Sequence, residues 1–334
     1  MRRPGPGLAC PLLAGLLCLM GGGPALAENR ALGTVSFVGI DGTCLRRGDD
    51  CWLLEVQCPD LDDMRASLRI NYPDWKVPVL GVVLLTEGGS GNTFWGSKTN
   101  AAYNAMAGMI QGGYITVELA WKKPWWADSR ASLDGSFAGY PQTACRPASV
   151  ARYVRDLFVA WDPARAYCAT GTSGGATQLA LALSHYGLDG DFDFVMPVSG
   201  PPVAEIGIGC YQTPGYEAMW FSQGTANTID QMFGVERQGP CVVKDEYYRP
   251  LYTAASAGVG GNYLFPGLPV HFVFGGEDAT SAVGQGGFYA QQLSDAGNAL
   301  VSSETVLDAP HNVHSVTSGA NVLRDRILDQ CRLR

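Results

Sequence analysis

Residues 168 to 187 read CATGTSGGATQLALALSHYG, a short apolar run that ends in Gly171, Thr172, Ser173, Gly174 and Gly175 and passes directly into a helical pattern. A serine hydroxyl is a poor nucleophile, so a chain that uses one must expose it and fix its geometry. A tight strand-to-helix turn does both by pushing the side chain above the sheet. Glycines two residues before and after the serine leave room where backbone segments approach too closely for a side chain. Ser173 is therefore a candidate nucleophile for attack on an acyl carbon. Such an attack needs a histidine to take the hydroxyl proton and a carboxylate to orient that histidine. Farther along, the apolar segment PVHFVFG from Pro269 ends in Gly275, Gly276, Glu277 and Asp278. The segment SSETVLD from Ser302 ends in DAPHNVH, which carries His311 and His314. Nucleophile, acid and base thus follow one another along the chain, each just beyond the end of a strand.

With its candidate residues in that order, the chain resembles the α/β hydrolase superfamily over nearly its whole length after residue 27. The resemblance implies an α/β-hydrolase fold, a mostly parallel central sheet flanked by helices. It also implies roles: Ser173 as nucleophile, Asp278 as triad acid and His311 as general base. APHNV resembles the family's small-Pro-His turn after the last strand, which favours His311. His314 reads as a surface residue just before the final helix, and His185 and His271 as packing residues. Glu277 reads as solvated, and Asp308 lies too close to His311 in sequence to orient it. The oxyanion of a tetrahedral intermediate needs two backbone donors. The N–H of Gly174 is one, and the loop Thr86, Glu87, Gly88, Gly89, Ser90, Gly91 stands where the family has its glycine-rich oxyanion loop. The chain departs there from the HGGG form, and the second donor is Gly89 or Ser90.

These residues need a scaffold that brings strand ends together. Apolar runs alternate with amphipathic ones, the pattern of parallel strands joined by crossover helices. TVSFVGI from Thr34, WLLEVQC from Trp52 and ASLRINY from Ala66 read as an antiparallel entry to the sheet. VPVLGVVLLTE from Val77, YITVELAW from Tyr114, AYCATG before the turn, FDFVMPVSG from Phe192 and the two late segments read as core strands. Helices are expected near 99–111, over RPASVARYVRDLFVAW, after Ser173, near 285–297 and near 316–330. Between 200 and 266 the alternation stops. That stretch, rich in Gly, Pro, Tyr and Trp, reads as a lid inserted in one domain spanning 28–334. Trp121, Trp125 and Trp126, with Tyr211, Tyr216, Trp220 and Phe221, are candidates to shape an apolar pocket, each of them more readily a packing residue than a substrate contact.

The first residues carry Arg2 and Arg3, an apolar run from Leu8 to Met20, and GGGPALA ending at Ala27, the layout of a secretory signal peptide cleaved after Ala27. Its apolar run is shorter than the ~20 residues a membrane helix needs, so a secreted or periplasmic protein with no integral membrane segment is expected. The net charge of −8 becomes −10 on cleavage, since two arginines and no acid leave, and an acidic chain is a poor partner for nucleic acid. Eight cysteines follow residue 27, an even number suited to disulfides in an exported protein. They lack the close pairs of a zinc site, and acyl transfer of this kind calls for no cofactor. Cys210 and Cys241 are placed to staple the lid, Cys145 could reach Cys168 beneath the serine turn, and Cys168 could instead be a buried free thiol. The function that fits best is a serine esterase acting through an acyl-enzyme on a small-molecule or polymeric ester. A peptidase or amidase of the same fold and a noncatalytic binding relative are the alternatives. A dehalogenase would carry a carboxylate in place of Ser173.

Overall fold

The computed structural model describes residues 29–44, 49–127, 139–235 and 238–333. The expected signal peptide lies outside them. Among the described residues nine strands form one sheet: β1 Thr34–Ile40, β2 Asp50–Gln57, β3 Met64–Asn71, β4 Gly81–Thr86, β5 Tyr114–Trp121, β6 Ala166–Thr172, β7 Phe194–Val198, β8 Val270–Gly275 and β9 Val301–Val306. Their spatial order is β1-β2-β3-β5-β4-β6-β7-β8-β9. β1, β2 and β3 run antiparallel to their neighbours, and β3 pairs antiparallel with β5. From β5 to β9 every pairing is parallel. The fold is thus the mostly parallel sheet with an antiparallel entry that the segment pattern implied.

Parallel strands covered on both faces must be apolar at consecutive positions, and β4, β5, β6, β7 and β8 are buried at every residue. Period-two side-chain alternation then divides them between two cores. Val82, Leu84, Tyr167 and Ala169 face one side, where the helices Cys145–Phe158, Gly174–Tyr186 and Ser281–Asp295 pack. Val83, Leu85, Ala166 and Cys168 face the other, covered by Asn100–Gln111 and Thr317–Gln330. β4 begins at Gly81 rather than at Val77. Pro78 has no N–H for a ladder, and a Cβ at residue 81 would lie 2.6 Å from the carbonyl oxygen of Ala166 on the neighbouring strand.

Between β7 and β8 the chain builds four short helices, Ile206–Tyr211, Gln223–Met232, Pro240–Val243 and Arg249–Ala255. Their buried residues, among them Ile206, Phe221, Ile229, Phe233 and Tyr252, join the same core as the helix that follows Ser173. Four cysteine pairs lie at disulfide distance: Cys44–Cys51, Cys58–Cys145, Cys168–Cys331 and Cys210–Cys241. The last of these is the expected staple within 200–266. The suggested Cys145–Cys168 pairing is wrong, because the two side chains lie in the cores on opposite faces of the sheet. Cys168 is paired with Cys331 rather than free. No helix among the described residues is long and apolar enough to cross a membrane.

Candidate active site

β4 sits between β5 and β6 and runs parallel to both, so successive crossovers leave it in opposite directions. The crevice beyond the strand ends at such a reversal is where ligands bind in open α/β sheets. Two loops emerge there side by side, one after Thr86 and one after Thr172.

At the second loop, Ser173 adopts φ 53° and ψ −110°, a left-handed φ that is strained for a residue with a side chain. The turn is locked on every side. The Ser173 N–H donates to the Val198 carbonyl at 2.8 Å, and the Ser173 carbonyl accepts the first helical bond from Thr177 N at 3.0 Å. The N–H groups of Gly174, Gly175 and Ala176 therefore precede the first intrahelical bond. The glycines have specific reasons. A Cβ on Gly171 would fall 2.3 Å from Thr86 Oγ1 and 2.5 Å from the Gly175 carbonyl carbon, and one on Gly175 would fall 2.5 Å from the Thr86 carbonyl oxygen. The Thr86 hydroxyl donates to the Gly175 carbonyl at 3.2 Å, tying the end of β4 to the turn.

The first loop approaches equally closely. A Cβ on Gly174 would stand 2.5 Å from the Gly89 carbonyl oxygen and 2.9 Å from its nitrogen. Gly89 and Gly91 both take left-handed φ values, 55° and 67°, which suits glycine. Gly89 and Gly174 border a cavity of about 410 Å³, together with Ser173 and His311. Ser90 does not border it. Its carbonyl accepts from Trp125 N at 3.1 Å, so of the two candidate second donors the geometry brings only Gly89 to the cavity.

Asp278 follows β8 and His311 follows β9. His311 Nδ1 lies 2.7 Å from Asp278 Oδ2 and 3.3 Å from Thr280 Oγ1. An ionised carboxylate only accepts, so the Nδ1 proton points at Asp278, and Nε2 of the neutral ring keeps its lone pair. The Asp278 side chain is fully covered. Burial pushes its carboxyl up, but hydrogen bonds from His311 and from the Thr280 backbone and side chain outweigh that and hold it below the usual carboxylate range. The Thr280 N–H donates to the second oxygen, Oδ1, at 2.9 Å.

The other histidines and acids sort differently. His314 is not a surface residue: it is fully buried, its ring stacked on Trp95 at 4.9 Å between centroids. Its surroundings come from positions more than 100 residues earlier in the chain, which is why its place in sequence misleads. His185 is buried on its helix, and burial lowers its pKa to about 4. His271 bonds Ser302 Oγ at 2.7 Å and Glu304 Oε1 at 2.9 Å, between β8 and β9. Glu277 is exposed, and Asp308 accepts from Ser318 Oγ at 2.9 Å.

Of the aromatic candidates, Trp125 and Trp126 line the cavity, joined by Tyr140, which the sequence did not single out. Trp121 lies beneath the first loop, its Nε1–H donating to Gln178 Oε1 at 3.2 Å. Tyr211, Trp220 and Phe221 hold 200–266 together. The Tyr211 hydroxyl donates to the Asp245 carbonyl, Trp220 Nε1–H donates to the Thr213 carbonyl, and Phe221 packs on Gly209. Tyr216 is exposed. On the facing wall, Thr225, Thr228 and Met232 of helix Gln223–Met232, with its cap Ser222, line the cavity. Their spacing of three and four residues was legible as one helical face. The described side chains lining the cavity include no carboxylate, lysine or arginine.

Among the described residues one group has metal-ligand spacing, Asp41 with Cys44 and Cys51. The two sulfurs are paired with each other, and Asp41 is bonded to Lys122, Ser67 and Thr43, which leaves no ligand set there.

No family model matches the sequence, and no curated protein matches it. Solved structures do match. Brefeldin A esterase, a bacterial homologue of human hormone sensitive lipase, superposes with a TM-score of 0.52 at 16% identity, covering 90% of this chain and 81% of its own. Est1E from Butyrivibrio proteoclasticus gives 0.51 at 13% identity over 83% and 98% of the two chains. A bacterial heroin esterase gives 0.51 at 16% over 86% of each. The chain has the α/β-hydrolase fold.

Proposed function

We propose that this protein is an exported serine hydrolase that cleaves carboxylic esters through an acyl-enzyme. One observation carries the reading: a strained, glycine-flanked Ser173 and a His311 held by Asp278 border the same cavity. His311 Nε2 takes the Ser173 hydroxyl proton as Oγ attacks the ester carbon, and the charge that develops on the carbonyl oxygen is met by the N–H groups of Gly174 and Gly89. Collapse expels the alcohol, which takes the proton back from His311. Water then repeats the sequence and releases the acid. Asp278 stays a carboxylate throughout, orienting the ring and stabilising the imidazolium. Segment 200–266 serves as the lid, its hydroxyl-bearing helix setting what fits. The esterases named among the structural neighbours agree with ester chemistry, and the four cysteine pairs agree with an oxidising compartment.

A fluorophosphonate probe tests the chemistry directly. Wild type should be labelled on the peptide containing Ser173, and Ser173→Ala should not; an unlabelled wild type, or equal labelling of both, sinks the proposal. A second test addresses the oxyanion site. Gly174→Ala puts a methyl group 2.5 Å from the Gly89 carbonyl oxygen. It should lower kcat on p-nitrophenyl butyrate about 100-fold, the scale of losing one oxyanion donor. A wild-type kcat in that variant would remove Gly89 from the site.

A further inference from the structure

The loop after β4, the turn after β6 and the loop after β9 meet at one buried side chain that the reaction does not use. His314 Nε2 lies 3.1 Å from Glu87 Oε2, and its Nδ1 lies 3.2 Å from Thr172 Oγ1. Glu87 directly precedes Gly88 and Gly89, Thr172 directly precedes Ser173, and His314 follows His311 by three residues. Glu87 and His314 are 1% and 0% exposed, and Lys98 Nζ, 3.6 Å from Glu87 Oε1, is the other charge facing the pair. A carboxylate so deeply buried is costly unless cations or donors surround it. Among the described residues neither Glu87 oxygen has a hydrogen-bond partner, so the close approach of His314 Nε2 and Lys98 Nζ is what offsets that cost and fixes where the side chain sits.

We propose that the Glu87–His314 pair, with Thr172, is a positioning device that fixes the oxyanion loop against the nucleophile turn. This inference rests on Ser173 being the nucleophile. The loop needs such an anchor. Gly88, Gly89, Ser90 and Gly91 lie outside the sheet ladder, two of them with left-handed φ, and Glu87 is the last side chain before them that reaches the core. The anchor is itself held. Trp95 stacks flat on the His314 ring, with 20° between planes. The next residue, Gly96, donates its N–H to Glu118 Oε1 at 2.6 Å, and Arg69 grips Glu118 through both oxygens at 2.6 and 2.8 Å. The Thr99 hydroxyl donates to the His314 carbonyl at 3.4 Å.

A positioning role and a merely structural one separate when turnover is counted per working site. Active sites are titrated with a fluorophosphonate, and kcat on p-nitrophenyl butyrate is divided by that count, for Glu87→Gln, His314→Gln, their double variant, Thr172→Val and Thr172→Ser. If the pair positions the loop, kcat per titrated site falls about 10- to 100-fold in Glu87→Gln and His314→Gln while KM moves less than about 3-fold. The double variant then falls no further than the worse single one, because the residues act as a unit. Thr172→Val, nearly isosteric, should lose activity in the same sense, and Thr172→Ser, which keeps the hydroxyl, should restore it. Wild-type kcat per titrated site in Glu87→Gln and Thr172→Val overturns the inference, even if Tm or the number of titrated sites drops. If His314→Gln does not fold, Thr172→Val and Thr172→Ser decide. A wild type that hydrolyses the ester but cannot be titrated at Ser173 overturns the nucleophile reading, and this inference with it.

Discussion

Ser173→Ala and His311→Ala should each lower kcat on p-nitrophenyl butyrate by about 10⁶-fold, and the double variant should be no worse than either single one. The equality follows from the mechanism. Without the serine there is nothing for His311 to deprotonate, and without His311 the hydroxyl stays protonated, so each change removes the same event. Asp278→Asn is milder in kind, costing about 10⁴-fold. An amide can donate to Nδ1 where the carboxylate only accepts, which would turn the ring's proton toward Ser173 and block its role as base. Because hydrogen bonds hold Asp278 below the usual carboxylate range, loss of activity on mild acidification is not its titration. Circular dichroism on each variant separates lost chemistry from lost fold. A Ser173→Ala protein retaining more than about 1% of wild-type kcat is incompatible with an acyl-enzyme at this residue. His314→Ala is the control that matters most: if it abolishes turnover and His311→Ala does not, the base has been misassigned.

The second large effect concerns stability. Cys168 and Cys331 are 163 residues apart in sequence, and closing so long a loop in the unfolded chain is worth about 5 kcal/mol in the chain-entropy account. Cys44 and Cys51, 7 apart, give about half of that on the same basis. Replacing Cys168 and Cys331 together by alanine should therefore destabilise the protein roughly twice as much as replacing Cys44 and Cys51. That corresponds to a fall in Tm of roughly 10 °C for a chain of this size. Such a loss is comparable to the whole stability of many domains. The pair joins β6, the strand that presents Ser173, to the end of the helix that follows His311, so its removal also loosens the framework of the site. Thermal unfolding of the two double variants checks the ranking, and equal Tm values would contradict it.

Most of the scaffold was legible because burial on both faces leaves an unmistakable record. Tyr114–Trp121 reads as a nearly continuous apolar strand because it is covered above and below, and its one charged residue, Glu118, is buried only by pairing with Arg69. The turn at Ser173 was legible because its glycines answer to close backbone contacts rather than to taste. What stayed hidden depends on side chains from remote parts of the sequence. Nothing near His314 signals that Trp95 and Glu87 will enclose it. The partner of Cys145 is decided by which face of the sheet a residue occupies, and pairing arithmetic among eight cysteines contains no such information. The hydroxyls of Thr225 and Thr228 were overlooked for a different reason. In a segment without sheet periodicity, attention goes to the aromatic residues, and those turned out to build the segment more than the cavity.

The cysteine pair of segment 200–266 closes entirely within that segment. Cys210 and Cys241 are 31 residues apart, and both belong to helices of that segment rather than to strands. Ser173, Asp278 and His311 all stand on loops outside it. The strand-borne residues and the helical segment are thus separate along the chain, joined at β7 and β8, although they pack into one core. On the proposed function, substitutions along helix Gln223–Met232 would alter which acyl or alcohol group is admitted without touching the bond-breaking residues. For a chain under selection, that division makes a new diet a shorter step than a new reaction.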